Sequence, residues 1–207
     1  KSIAANINEV ADITGINASV KTTATISDLS TDGVVSFDFV GSDTNATKTS
    51  ISANVTKTDL TALATAINDQ TGKTGVVAKL SLDQKSIELT DSSGTDIKIQ
   101  DFNSSAANAT NTDATQAVSL KVTGGDSSTG VTLTAGLAGT NSDSTVVGGN
   151  IEFKSSATSF NVKSNVEGDK GGLFSGNKDT LQASALENVA SLDISSVAGA
   201  NAAIDIV

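Results

Sequence analysis

The chain has 207 residues and contains no cysteine, histidine, methionine, tryptophan, tyrosine or proline. Without cysteine there is no thiol nucleophile and no thiolate metal site, and without histidine there is no imidazole base. The same absence leaves the redox compartment open, because no disulfide can report on it. All 13 basic residues are lysine, against 23 acidic ones, for a net charge of −10. No basic patch interleaved with aromatics occurs, which argues against nucleic acid. The acidity reads instead as solubility and self-repulsion at a surface. No apolar run approaches the ~18 residues of a membrane span, and no signal peptide is visible. Lys1 opens directly into helical periodicity and Asn201–Val207 is still periodic, so the chain is expected to be cut from a longer protein. Six phenylalanines are the only aromatics, so cores must be built from Val, Ile, Leu and Ala. Such side chains bury modest area, at roughly 25 cal/mol per Å².

Thr, Ser, Ala, Asn, Gly and Asp dominate, with 55 Ser plus Thr. Within this composition one stretch occurs twice. Ile3–Ala18, IAANINEVADITGINA, returns 60 residues later as Leu63–Ala78, LATAINDQTGKTGVVA. Ile7 falls on Ile67, Asn8 on Asn68, Thr14 on Thr74, Gly15 on Gly75 and Ala18 on Ala78. Two copies are too few for a solenoid, so the repeat marks a small supersecondary unit used twice.

Ile3, Ile7 and Val10 form one apolar helical face and predict a helix over Ser2–Asp12, stopped at Gly15. Strands are expected over Ser19–Ile26, Val34–Val40 and around Ile51–Val55, with Ser42–Lys48 a loop. Thr58 is the candidate N-cap of a second helix over Asp59–Asp69, which presents Leu60, Leu63, Ala64 and Ile67. Gly72 and Gly75 end it. Ala78–Leu82, Ile87–Leu89 and Ile97–Ile99 read as strands joined by Asp83-Gln84-Lys85 and Ser92-Ser93-Gly94 turns. Asn103–Thr115 reads as a linker. Gln116–Thr123, Val131–Thr134, Val146–Lys154 and Ser159–Ser164 read as strands, and Asn165–Gly176 as a loop. Ser184–Ala190 is expected to form a helical turn, and Ser195 or Ser196 to cap a last helix carrying Val197, Ala200, Ile204 and Val207.

These elements predict a β-rich α+β fold of two small domains, each made of β-hairpins packed on a short helix. Residues 28–103, β-β-α-β-β-β in order, would be an outer domain able to fold alone. It would be inserted into a discontinuous inner domain of residues 1–27 and 104–190, with 191–207 a return segment. The termini would then lie together at the base.

The residues offer little chemistry. No G-K-[ST] phosphate loop exists, and Gly124-Gly125-Asp126 leads into no helix. Lys85 and Ser86 are adjacent on an expected strand and would face opposite sides. Asp91-Ser92-Ser93-Gly94-Thr95-Asp96 offers oxygens for calcium, but its spacing matches no EF-hand or nonapeptide loop. A hairpin turn is the favoured reading. N-x-[ST] sequons stand at Asn17, Asn45, Asn54, Asn103 and Asn108. Roughly four would arise by chance in this composition, so five is background. O-linked decoration of exposed Ser and Thr remains open. No catalytic, cofactor-binding or metal-binding residue is assigned.

The pattern AxxINxxxxxTGVxA, carried by both copies with Ile16 in place of the Val in the first, resembles the short repeat of the variable region of bacterial flagellins and related filament-cap proteins. Asn188–Val207, NVASLDISSVAGANAAIDIV, is similar to the segment where flagellins return from their surface domains to the helical core. The resemblance covers both repeat copies and these last twenty residues; Asn103–Glu187 matches nothing sharply. It implies the outer surface domains of a flagellin, with the polymerising helices absent: a non-enzymatic, extracellular structural protein of the flagellar filament. The implied role is in motility, filament surface properties and antigenicity. Implied partners are neighbouring subunits through segments not present here, with host surfaces, antibodies or glycans beyond them. No nucleic acid, no membrane insertion and a monomeric fragment are expected. The alternative is a surface adhesin or carbohydrate-binding module, or the outer domains of a filament cap. A lectin usually shows an aromatic platform, and Trp and Tyr are absent here.

Overall fold

The two copies of the repeat adopt the same local structure. The structure is a computed structural model that describes residues 2–40, 48–107, 117–125, 127–136, 142–155, 159–170, 174 and 177–184. In the first copy Ser2–Asn8 forms helix α1, Ala11–Thr14 forms the one-turn helix α2, and Gly15 leads into strand β1, Ile16–Ser27. In the second, Thr61–Asn68 forms α3, Thr71–Thr74 forms α4, and Gly75 leads towards strand β4, Val77–Leu80. The Thr-Gly pair has a physical cause in both. Thr14 Oγ1 donates to the Val10 carbonyl at 3.0 Å and accepts the Ile16 N–H at 3.3 Å. Thr74 does the same with Gln70 and Val76, at 3.1 and 3.2 Å. Gly15 and Gly75 then take left-handed φ values of +67° and +73°, which glycine alone adopts without steric cost. Their N–H groups donate to the Ala11 and Thr71 carbonyls at 2.7 and 2.8 Å, closing each helix end.

The remaining strands are β2, Gly33–Val40, and β3, Lys48–Val55. Next come β5, Ile87–Asp91, and β6, Ile97–Ser104. They are followed by β7, Val118–Gly124, and β8, Val131–Ala135. The last are β9, Thr145–Val147, β10, Asn150–Ser155, β11, Asn161–Val162, and β12, Gln182–Ala183. A six-stranded sheet runs β4-β5-β1-β7-β8, with β10 also on β1. A four-stranded sheet runs β3-β2-β6-β9, and β11 with β12 forms a two-stranded ribbon.

The chain divides into two compact units. One comprises residues 1–7 and 18–152, the other 8–17 and 153–207. The first holds a core of small aliphatic residues and a few phenylalanines, drawn from both larger sheets and from α3. Ile26, Phe37, Ile51, Leu63, Ile67, Leu89, Ile99, Leu120 and Leu133 are all at most 1% exposed. Phe37 and Phe39 alternate inward along β2 and meet edge to face, with ring centroids 5.3 Å apart. The second unit contains the β11–β12 ribbon, a 3-10 turn over Gly168–Lys170 and the tilted ring pair Phe153–Phe174, 6.3 Å apart.

The β-rich, antiparallel character follows the sequence pattern, and the element order from β2 to β6 is the expected β-β-α-β-β-β. The partition does not follow residues 28 and 103. Strand β1 lies between β5 and β7, with Thr25 opposite Glu88 on one side and Thr123 on the other. Chain from inside and outside the expected insert therefore shares one sheet and one core, because β5, paired with β4 along one edge, leaves its other edge unpaired unless β1 joins it.

Several boundaries also shift. The first helix breaks after Asn8 rather than running to Asp12. The second begins at Thr61: Asp59 Oδ1, not Thr58, accepts the Thr61 N–H at 2.8 Å, while the Thr58 hydroxyl lies 3.3 Å from that of Thr56. Leu82 is fully exposed beyond the end of β4. The expected strand Val146–Lys154 is split at Gly148-Gly149, where the chain passes from the four-stranded to the six-stranded sheet. The expected linker starts later, since β6 runs to Ser104. Gln182–Ala183 is strand just before the expected helical turn. That turn beyond Ser184, the segment Ser191–Ile194 and the last helix lie outside the described residues, as do Asn45, Asn108, Asp126 and nearly all of the Ser42–Lys48 loop.

Candidate functional site

Polar side chains gather most closely on the outer face of the four-stranded sheet. β2 pairs β3 in regular register, but its pairing with β6 shifts between Ser36 and Asp38. At this bulge Asp101 takes a φ of +57°, which redirects its side chain. Asp101 bonds the Lys48 ammonium, which also lies 3.6 Å from Asp38. Asp38 accepts in turn from the Ser50 hydroxyl at 2.6 Å. The Asp101 hydrogen bond, reinforced by the charges of Asp101 and Asp38, holds Lys48 above the ordinary lysine value. Lys48 therefore stays an ammonium and offers no free amine for nucleophilic or base chemistry. Half-exposed ion pairs of this kind contribute little to stability. Asp38 and Lys48 are brought together by the regular β2–β3 pairing, and the bulge in β6 adds Asp101, which is distant from both in sequence.

The Asp91–Asp96 stretch is a turn. Asp91 Oδ1 accepts the Ser93 N–H at 2.7 Å, the Gly94 N–H donates to the Asp91 carbonyl, and the Ser93 and Thr95 hydroxyls pair at 2.8 Å. Asp91 is buried while Asp96 is exposed, so the two carboxylates do not converge. Among the described residues no group of three or more acidic side chains is placed to hold a metal ion. The neighbouring Asp83 caps its own turn: it accepts from the Ser81 hydroxyl at 2.6 Å and the Lys85 N–H at 3.1 Å, and the first of these holds it below the usual carboxylate range. Asp59 is lowered in the same way, by the Thr61 hydroxyl first and the Thr61 N–H second.

Lys85 sits in a turn rather than on a strand, and the Ser86 N–H bonds Ser81 Oγ within that turn. Gly124 ends β7 and Gly125 packs against Thr23, an ordinary strand exit. Of the sequons, Asn17 and Asn103 are exposed and Asn54 lies on β3. Asn103 turns its amide oxygen to the Ser104 N–H at 2.8 Å. Two shallow open grooves of about 450 and 430 Å³ occur in the first unit. One is polar and runs along Asp101–Ser105 towards Asp143; the other lies among Val122, Val131 and Val146.

The chain matches no protein-family profile, and no curated protein matches it. A functional reading therefore rests on its own residues: a polar, Ser/Thr-rich exterior over an aliphatic core, and a repeat whose turn is built identically twice.

Proposed function

We propose that the chain forms the solvent-facing domains of a flagellin subunit, a structural protein of the extracellular bacterial flagellar filament. In this role it catalyses nothing. It coats the filament, sets its surface charge and presents antigen, while neighbouring subunits are engaged through helical segments flanking these residues. The observation that carries the reading is the doubled Thr-Gly motif. Both copies resemble the flagellin repeat in sequence, and in both the Thr hydroxyl makes the same two hydrogen bonds and the Gly N–H the same third one. The return-like segment Asn188–Val207 and the net charge of −10 add support.

Sedimentation and electron microscopy test it. The 207-residue chain should remain monomeric under conditions in which flagellins polymerise, whereas the chain extended by flagellin-type terminal helices should form filaments. Filament growth by the 207-residue chain alone would overturn the reading.

A further inference from the structure

We propose that the exposed side of α1, which presents Ile3 and Ile7, is the seat of a β-hairpin of the β2–β3 kind, carried on the same polypeptide directly ahead of Lys1. The second copy of the repeat says what the occupant is. There α3 buries Leu63, Ala64 and Ile67 against β3 and β4. β3 enters just before α3, with Ile51 and Val55 turned inward four residues apart. Leu60 follows, fully buried, and its N–H donates to the Gln84 carbonyl at 2.9 Å.

The strands that follow the helix recur around the first copy. β1 stands where β4 does, and Ala18 is buried as Ala78 is. β10 stands where β5 does: it pairs β1 as β5 pairs β4, and Ile151-Glu152-Phe153 echoes Ile87-Glu88-Leu89. The Ser19 hydroxyl donates to Glu152 at 3.4 Å, where Lys79 faces Glu88 in the second copy. The Ser155 hydroxyl donates to the Gly15 carbonyl at 2.7 Å, where Asp91 Oδ2 lies beside Gly75. No counterpart of the β2–β3 hairpin occurs among the described residues. Burial follows this inventory. Ala4 is buried like Ala64, but Ile3 is 47% exposed where Leu63 is at 0%, and Ile7 is half-buried where Ile67 is at 0%. A seven-residue helix is held by what packs on it rather than by its own propensity. An aliphatic pair at i, i+4 on such a helix, with a buried equivalent in the same chain, is a face built to be covered. The 60-residue offset between the copies also sets the occupant's register: the equivalents of Leu60, Val55 and Ile51 fall one, six and ten residues ahead of Lys1 and should be aliphatic. Because the repeat and not a filament role carries this seat, either reading can fail without the other.

The test fuses a second copy of residues 33–60 ahead of Lys1, in the register they hold ahead of Thr61. Thermal unfolding is then compared for the 207-residue chain and the fusion, each with and without Ile3→Ala. The substitution should lower Tm by about 2 °C in the parent and about 6 °C in the fusion, where Ile3 is covered. Ile13→Lys is the control: its counterpart Lys73 is exposed in the second copy, so Tm should stay unchanged in both chains. Equal losses from Ile3→Ala in the two chains overturn the seat. A parent loss already near that of the fusion overturns it too, by showing that another part of this chain covers Ile3. So does a fusion in which Ile13→Lys costs as much as Ile3→Ala, the mark of a hairpin lying anywhere on the helix. Hydrogen exchange supplies a second readout should the fusion misfold. In the chain extended by its own preceding residues, the Ser2–Asn8 amides should exchange roughly tenfold more slowly than in the 207-residue chain. Equal exchange overturns the seat, as do preceding residues whose helical periodicity runs unbroken into α1.

Discussion

The two copies of the repeat share a turn and differ in burial. Thr14 and Thr74 make matching bonds, and Gly15 and Gly75 take nearly the same φ. Yet Leu63 and Ile67 are fully buried, whereas Ile3 is 47% exposed, Val10 43% and Ile13 87%. Position by position, Leu63 corresponds to Ile3. The turn is therefore a local property of Thr-Gly chemistry, indifferent to what surrounds it. The energy of the helix is a tertiary property, supplied by the strands that cover it. Sequence similarity between the copies reports the first and not the second.

The largest expected difference tests burial directly. Leu63→Ala should cost about 3 kcal/mol, while Ile3→Ala should cost less than about 1 kcal/mol. Urea denaturation of both variants measures this; equal losses would show that the first copy is as well covered as the second. Next comes the helix-to-strand tie. Asn68 donates to the Ala78 carbonyl at 2.8 Å and accepts its N–H at 2.7 Å. Asn68→Ala leaves both backbone groups unpaired, for an expected loss of about 2 kcal/mol by the same measurement.

The shared turn gives a smaller effect. Gly15→Ala and Gly75→Ala should each cost about 1 kcal/mol, the strain of a left-handed φ on a residue with a Cβ. Gly75→Ala should cost the more, since its Cβ would crowd Asp91 Oδ2 at 3.2 Å while that of Gly15 meets nothing nearer than 3.9 Å. A thermal-shift comparison ranks them, and the reverse order would mean that strain and not crowding decides.

Acid gives the smallest effect, and around the second copy it acts through two turn carboxylates. Asp59 and Asp83 are held below the ordinary carboxylate value in the folded chain. The unfolded chain therefore takes up these protons more readily. The stability they add is present above about pH 4 and is lost as pH falls through the lowered values. Both groups are exposed, so screening keeps the contribution small. Melting curves at falling pH should decline more steeply for the parent than for an Asp59→Asn/Asp83→Asn variant; parallel declines would remove these turns from the account.

What could be read in advance was what repeats or alternates. Val35, Phe37 and Phe39 announced β2, the face Leu60–Leu63–Ile67 announced α3, and Gly15 and Gly75 announced the helix ends. Burial bears all of these out. What could not be read depends on pairing between distant segments. Nothing local in Ser19–Ile26 says that its neighbours are β5 and β7, because a Thr-rich alternation suits any partner. The split at Gly148-Gly149 was hidden for a related reason: the flanking apolar residues keep the alternation of one continuous strand. Of the polar clusters, the Asp91 turn was legible from Asp-Ser-Ser-Gly. The Lys48–Asp38–Asp101 group was not, since Asp101 joins it through a bulge that only the β2–β6 register creates.

The place of β1 in its sheet has a consequence for the order of events in folding. It is among the first segments in the chain, yet its partners come much later: Ile87–Asp91 on one side and Val118–Gly124 on the other, with β10 later still. Each pairing closes a long loop before any contact repays the lost freedom, which places the chain among slow, high-contact-order folders. The β4–β5 hairpin and the β2–β3 pair can form early, being local. The six-stranded sheet can be completed only once Thr123 is free to meet Thr25, so its closure sets the pace for the whole unit.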